Sequence, residues 1–348
     1  MNRTSILHFT VVFAFTVALS SLAFGQAAPT PTPRISDESE TVIKVDTELV
    51  NMNVRVIDRF NRPITNLKQS EFKIYEDNVL QEIAFFSQSE VPTNYSMVID
   101  TSGSMRSQIE KVIEAGKILV KSNRPADETS IIRFSGKQDL EIVQDFTNSK
   151  EDLDYTLENL YIGAGQTVLI DALYLSAERV NEYEKTANDD RKRRALILVS
   201  DGEDRSSFYT EKQLFQLLAE TNVQIYVVGF VKELDDKGSF IQKSEQSKAK
   251  SFLQRLADQT GGKAYFPDNV TELNTIAQDI SGEMRTQYSI GYSPSNKLED
   301  GTLRNIRVTM NDGPDKQKRI AVHRTGRTAG KPQGEPSLQK AVKVGKDQ

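Results

Sequence analysis

The sequence predicts an α/β chain in which a doubly wound, mostly parallel six-stranded sheet is inserted between two β segments that form a small β-sandwich-like domain. Three observations carry this. Between residues 94 and 284, short apolar runs alternate with stretches of helical periodicity. On either side, from 41 to 90 and from 285 to 325, apolar residues alternate one by one. Neither flank is long enough to bury its own apolar face, so each requires the other.

The elements follow in order. Residues 1–25 read as a signal peptide: Arg3 gives the positive end, Phe9 to Phe24 is almost wholly apolar, and Ala23-Phe24-Gly25 supplies small residues for cleavage. This predicts export to the periplasm or the extracellular space. No other segment has the length and apolarity of a transmembrane helix, so the mature chain is expected to have none. Residues 26–40, with Pro29-Thr30-Pro31-Thr32-Pro33, read as a stiff Pro-rich linker.

In the N-terminal β segment, Val50, Met52, Val54 and Val56 share one strand face before a turn at Asp58–Pro63. Phe72 and Ile74 open a second run, Glu76-Asp77-Asn78 turns again, and Ile83 and Phe85 are expected on one side. The central strands are placed at 95–100, 129–135, 140–147, 195–200, 223–229 and 263–266. Ser135–Asp139 is short enough to join two of them as an antiparallel hairpin. Helical faces are marked by Ile109, Val112, Ile113 and Gly116, and by Leu169, Ala172, Leu173 and Ala177. Three more are marked by Leu214, Leu217 and Leu218, by Phe252, Leu253, Leu256 and Ala257, and by Leu273, Ile276, Ala277 and Ile280. In the C-terminal β segment Tyr288, Ile290 and Tyr292 alternate, as do Ile306, Val308 and Met310, with Ile320 and Val322 ending a last strand. Residues 326–348 are basic and rich in Gly and Pro, and a disordered tail is expected there.

Composition removes several kinds of chemistry. The chain lacks cysteine, so disulfides, thiolate nucleophiles and thiolate zinc sites are excluded. Of two histidines, His8 lies in the signal segment and His323 near the end, which argues against histidine-dependent hydrolases. A net charge of −5 argues against nucleic acid as the main partner. The basic run Arg191–Arg194, preceded by Asp189 and Asp190, fits an exposed loop better.

The chemistry-bearing stretch is Asp100-Thr101-Ser102-Gly103-Ser104. It follows the apolar strand Tyr95–Asp100 and precedes a helical pattern, so a carboxylate is followed by two hydroxyls at alternate positions on a tight loop. Thr167, in Gly165-Gln166-Thr167, and Asp201, after the strand Ala195–Ser200, are further oxygen donors that a parallel sheet delivers to the same edge. Taken singly, each has a plain alternative: a helix cap at Asp100–Ser104 or Thr167, an ordinary turn at Asp201-Gly202. Together, in order, they read as an all-oxygen site for a hard divalent cation: Mg²⁺, with Mn²⁺ and Ca²⁺ as the other candidates. Asp171, Glu203 and Asp204 read as rim groups or as groups that back the ligands, or equally as solvated acids. The stretch Lys232–Lys250 reads either as part of a recognition rim or as a tolerated surface insertion.

A strand ending in Asp-x-Ser-x-Ser, a later Gly-x-Thr and a second strand ending in Ser-Asp-Gly resemble the von Willebrand factor type A (vWA) domain, a Rossmann-like fold, over residues 94–284. The resemblance identifies Asp100, Ser102, Ser104, Thr167 and Asp201 with the ligands of that family's metal-ion-dependent adhesion site (MIDAS). The flanking β segments and Phe72–Asp77 resemble a secreted bacterial vWA-related family. What the resemblance implies is a non-enzymatic protein-protein interaction or cell-adhesion module, in which a protein ligand presents Asp or Glu to an open metal position. Two rivals stand beside it: a metal-dependent hydrolase, with Glu203 as the tempting base, and a structural envelope protein stabilised by its metal.

Overall fold

The computed structural model describes residues 49–183, 192–231 and 242–330. The signal peptide, the linker, residues 41–48, residues 232–241 of the charged stretch and the tail from 331 lie outside the described residues.

The chain enters through β1 (Val50–Ile57), β2 (Phe72–Glu76), β3 (Val79–Gln81) and β4 (Ile83–Ser87). The α/β unit follows as β5 (Thr93–Asp100), α1 (Ile109–Ser122), β6 (Glu128–Phe134), β7 (Leu140–Thr147), α2 (Lys150–Glu158) and α3 (Leu169–Glu182). It continues as β8 (Arg193–Ser200), α4 (Glu211–Glu220), β9 (Val223–Gly229), α5 (Gln242–Thr260), β10 (Ala264–Tyr265) and α6 (Leu273–Arg285). Last come β11 (Tyr288–Tyr292), β12 (Leu303–Met310), β13 (Ile320–Val322) and β14 (Gly326–Thr328).

The central sheet has the order β10-β9-β8-β5-β6-β7, with only β7 antiparallel. Its middle strands β5, β8 and β9 are buried along their whole length, as expected where helices cover both faces of a parallel sheet. Side-chain alternation divides the core. Met97, Ile99 and Ile197 pack with Val112, Leu119 and Ile280 of α1 and α6. Val98, Leu196 and Leu198 pack with Leu173, Leu214 and Leu253 of α3, α4 and α5.

The flanking segments form two four-stranded antiparallel sheets, β13-β1-β11-β4 and β14-β12-β2-β3, around a shared core that includes Met52, Val54, Ile74, Tyr288 and Val308. The Asp77-Asn78 link between β2 and β3 has positive φ at both residues, the conformation of a tight hairpin turn.

Four local expectations change; one is that Arg193 and Arg194, expected in an exposed loop, are buried in β8. Phe86, not Phe85, packs into the sandwich core, and Phe85 is exposed. The cause is a register shift: Gly291 pairs with Phe85 but Tyr292 pairs with Ile83, so Ala84 is an extra residue that breaks the two-residue period. Helix α2, which the apolar pattern left unassigned, forms behind the Ser149 cap, whose Oγ accepts the Asp152 N–H, and buries only Leu153 and Leu157. The fold also runs past residue 326, where a disordered tail was expected, because β14 pairs with β12. Arg327 there donates through Nε to Glu76 Oε2 at 2.8 Å, and Tyr292 Oη donates to the same oxygen at 2.6 Å. All three side chains are buried.

Two expected outcomes follow. Glu76→Leu leaves Arg327 buried without its counter-charge and should cost about 3–5 kcal/mol, read as a lower urea midpoint. His323 Nε2 accepts the Val308 N–H (3.1 Å) while its Nδ1 donates to Arg324 O (2.7 Å), and burial holds its pKa below the usual 6.5. The folded state therefore takes up this proton at lower pH than the unfolded chain. The contribution is complete above pH 6.5 and is lost as the pH falls from there through the folded pKa. Melting curves of wild type and His323→Gln across this range should show the gap between them narrowing in acid.

Candidate metal centre

β5 and β8 are adjacent and parallel, and the pairing of Ile99 with Val199 carries both chains out of the sheet at the same edge. Asp100, the last residue of β5, is fully buried. Its Oδ1 accepts the Ser102 N–H (2.9 Å) and its Oδ2 accepts the Ser200 hydroxyl (2.8 Å). Ser102 Oγ lies 3.0 Å from Ser104 Oγ, and Ser104 Oγ donates to Asp201 Oδ2 at 2.6 Å. Asp201 Oδ1 accepts the Glu203 N–H (2.9 Å). Ser102, Ser104 and Asp201 thus form one string of oxygens drawn from two loops, to which Asp100 is joined through the Ser102 N–H. Gly202, at φ +83°, is where the chain turns away, and a Cβ there would lie 2.9 Å from Leu253 Cδ1.

Thr167 arrives on the second loop, between α2 and α3. Its side chain is buried, but none of the described hydrogen bonds joins its hydroxyl to the other four residues. Its placement comes from the backbone: Thr167 O accepts N–H bonds from Arg205 (2.9 Å) and Ser206 (3.2 Å) on the third loop. On the other side, Gly163 N–H donates to Thr101 O at 2.8 Å. Gly165 sits so close to the hairpin that a Cβ would lie 3.1 Å from Gly136 Cα.

The three acids read as rim groups have distinct partners. Asp204 Oδ1 accepts the Ile170 N–H in the first turn of α3 (3.1 Å) and the Ser207 hydroxyl (2.6 Å). Asp171 accepts the N–H groups of Phe208 and Tyr209 at 2.8–2.9 Å. Both therefore staple the start of α3 to the third loop. Glu203 instead pairs with Arg205, whose side chain is 54% exposed. The motif pattern did not single out Ser200, although it stands directly before Asp201. Its hydroxyl bridges Asp100 Oδ2 and the Gly202 N–H (3.0 Å).

The electrostatics follow from burial. Desolvation first, and then the neighbouring Asp201 charge, push the Asp100 carboxyl up to about 6. Burial likewise raises Asp201. Among the described residues, no lysine or arginine forms an ion pair with either carboxylate. Two buried carboxylates among neutral hydroxyls, neither in an ion pair among the described residues, form a donor set suited to a hard divalent ion.

Residues 96–279, a little over half of the chain, match the family model for the von Willebrand factor type A domain. The chain belongs to this family. Solved structures similar to the chain include an aerotolerance-related membrane protein from Bacteroides fragilis, 20% identical over 55% of this chain and 98% of that one, with a TM-score of 0.41. A second is proximal thread matrix protein 1 from the mussel byssus, with a zinc-occupied MIDAS motif. It is 17% identical over 57% of this chain and 49% of that one, with a TM-score of 0.44. A third is a von Willebrand factor type A protein from Catenulispora acidiphila, 12% identical over 80% of this chain and 74% of that one, also at 0.44. No curated protein matches the sequence.

Removing the vWA domain's Asp204 cap separates the two kinds of acid. Asp204→Ala should destabilise the protein by about 1 kcal/mol through the exposed α3 N–H. Glu203→Ala should stay within about 0.5 kcal/mol of wild type. Equilibrium denaturation of both variants checks this.

Proposed function

We propose that this chain is an exported, non-enzymatic vWA protein that binds a protein partner through a divalent cation held by Asp100, Ser102, Ser104, Thr167 and Asp201. The observation that carries the reading is the string of oxygens Ser102–Ser104–Asp201 joined to Asp100 by the Ser102 N–H, its two buried carboxylates forming no ion pair among the described residues. A bound Mg²⁺ would supply the missing positive charge and an open coordination position for an acidic side chain of the partner. The protein's own part is to hold the oxygens in place before the ion arrives. Ser200 and the Ser102 N–H orient Asp100, the Glu203 N–H orients Asp201, and the third loop fixes Thr167. Two formal negative charges balance the dication, and neutral hydroxyls add none, so a carboxylate from a partner can take the open position by displacing a water.

The hydrolytic reading finds less support. Glu203 is paired with Arg205, and His323 is engaged with Val308 and Arg324 in the sandwich. Export rests on the N-terminal sequence pattern. Among the described residues, no helix is long and apolar enough to cross a membrane.

Calorimetric titration of Mg²⁺ into the full chain should show one site, and Asp100→Ala should abolish it without changing the far-UV circular dichroism. A protein captured from envelope extract should be released by chelator and should be absent when the Asp100→Ala variant is the bait. Magnesium binding that survives Asp100→Ala, or capture indifferent to chelator, would falsify the reading.

A further inference from the structure

We infer that Arg133 is a positioning residue for the loop that carries Thr167, acting through Tyr161; this rests on the assignment of Thr167 as a ligand. Arg133 lies on β6 directly across from Ile99, one residue short of Asp100 in the register. It is among the largest fully buried side chains, at 1% exposure. Nε donates to Glu141 Oε2 on β7 (3.0 Å), and Nη2 donates to Tyr161 Oη (2.5 Å). Nη1 lies within a long hydrogen bond, 3.4 Å, of Thr101 Oγ1. Its Cζ sits 3.9 Å from the centroid of the Tyr161 ring. Tyr161 Oη also reaches Glu141 Oε2 at 3.5 Å, closing the triangle.

A buried guanidinium is costly, and an apolar side chain of similar volume would serve the sheet as well or better. All three of Arg133's partners lie at the metal edge instead: the residue after Asp100, the hairpin strand, and the start of the second loop. That loop, 159–168, has no regular secondary structure and is tied to its neighbours by hydrogen bonds, among them Ser206 Oγ to Gln166 O at 3.0 Å. Thr167 O is bonded to the third loop, Gly163 N–H to Thr101 O, and Tyr161 to Arg133. Tyr161 is 54% exposed, so its ring is not kept in place by burial. Arg133 holds it by a stack and a charge-assisted bond. Releasing that end would let the segment between Tyr161 and Thr167 sample many backbone states, and ordering them again would draw on the binding energy of the ion.

The test uses the full chain as wild type, Arg133→Met, Tyr161→Phe, Thr167→Ala and the Arg133→Met/Thr167→Ala double variant. In metal-free protein, Arg133→Met and Tyr161→Phe should accelerate amide exchange in 160–168 roughly tenfold, the shift in local opening expected from losing one hydrogen bond to a charged group, and leave β8 and α3 unchanged. In Mg²⁺ titrations Arg133→Met should weaken the dissociation constant by a similar factor. Adding it to Thr167→Ala should weaken binding no further, because both changes act on one ligand. Should Arg133→Met not fold, Tyr161→Phe removes only an exposed hydroxyl and carries both measurements alone. Unchanged exchange in 160–168, or full additivity in the double variant, overturns the inference. A wild type that binds no divalent ion overturns the metal assignment itself. Normal Mg²⁺ binding that is insensitive to Arg133 and Tyr161 overturns only the positioning role.

Discussion

The parallel pairing of β5 with β8 is the constraint on which the centre depends. Parallel neighbours end at the same edge, so the aspartates that leave them, Asp100 and Asp201, meet although they are about a hundred residues apart in sequence. The strands are buried on both faces, which denies the carboxylates water and leaves them to neutral donors. That is an unfavourable place for two negative charges, and the raised pKa of both records it. The sheet holds them there regardless, because moving either one would disrupt a ladder continuous from Thr93 to Asp100. What results is a preformed set of oxygens with a deficit of positive charge.

The same frame is tied to the sandwich by buried arginines. Arg55 of β1 pairs with Glu283 of α6, which within the α/β unit the partly exposed Lys263 also reaches (2.9 Å). Arg193 donates to the carbonyls of Met284 (2.8 Å) and Gln287 (2.9 Å), satisfying the C-terminal end of α6 just before the chain enters β11. Arg324, from the far end of the chain, spans Thr221 O and Asn51 O. The α/β unit and the sandwich therefore share polar groups at the edge opposite the candidate centre. Removing one partner of such a group leaves the other buried and unpaired, so the two parts are energetically linked.

Much of this was legible beforehand. The strand ending in Asp100 and the one ending in Ser200-Asp201 stood out because both-face burial makes a continuous apolar run, and a polar residue can only follow where the run stops. The β segments announced their need for each other by alternation without enough length. Where the expectation slipped, a local pattern was overruled by a distant neighbour. Ala84 is extra only because β11 offers Gly291 and Tyr292 in that register. Arg327 looked like part of a basic tail until Glu76, 251 residues away, proved to be its counter-ion. Asp171 and Asp204 were ambiguous acids because the N–H groups they accept belong to other loops or helices.

By itself, then, the sequence determined the class of the fold, the order of its strands along the chain and the type of donor atom at the end of each, since periodicity and residue chemistry are local. Only the tertiary structure decided how the three loops are braced against one another, through Arg133, the Gly136–Gly165 approach and the bonds to Thr167 O. The reason is that a hydrogen bond or an ion pair between loops leaves no period in either one. Its two halves carry no sign of each other until the sheet brings them to the same edge.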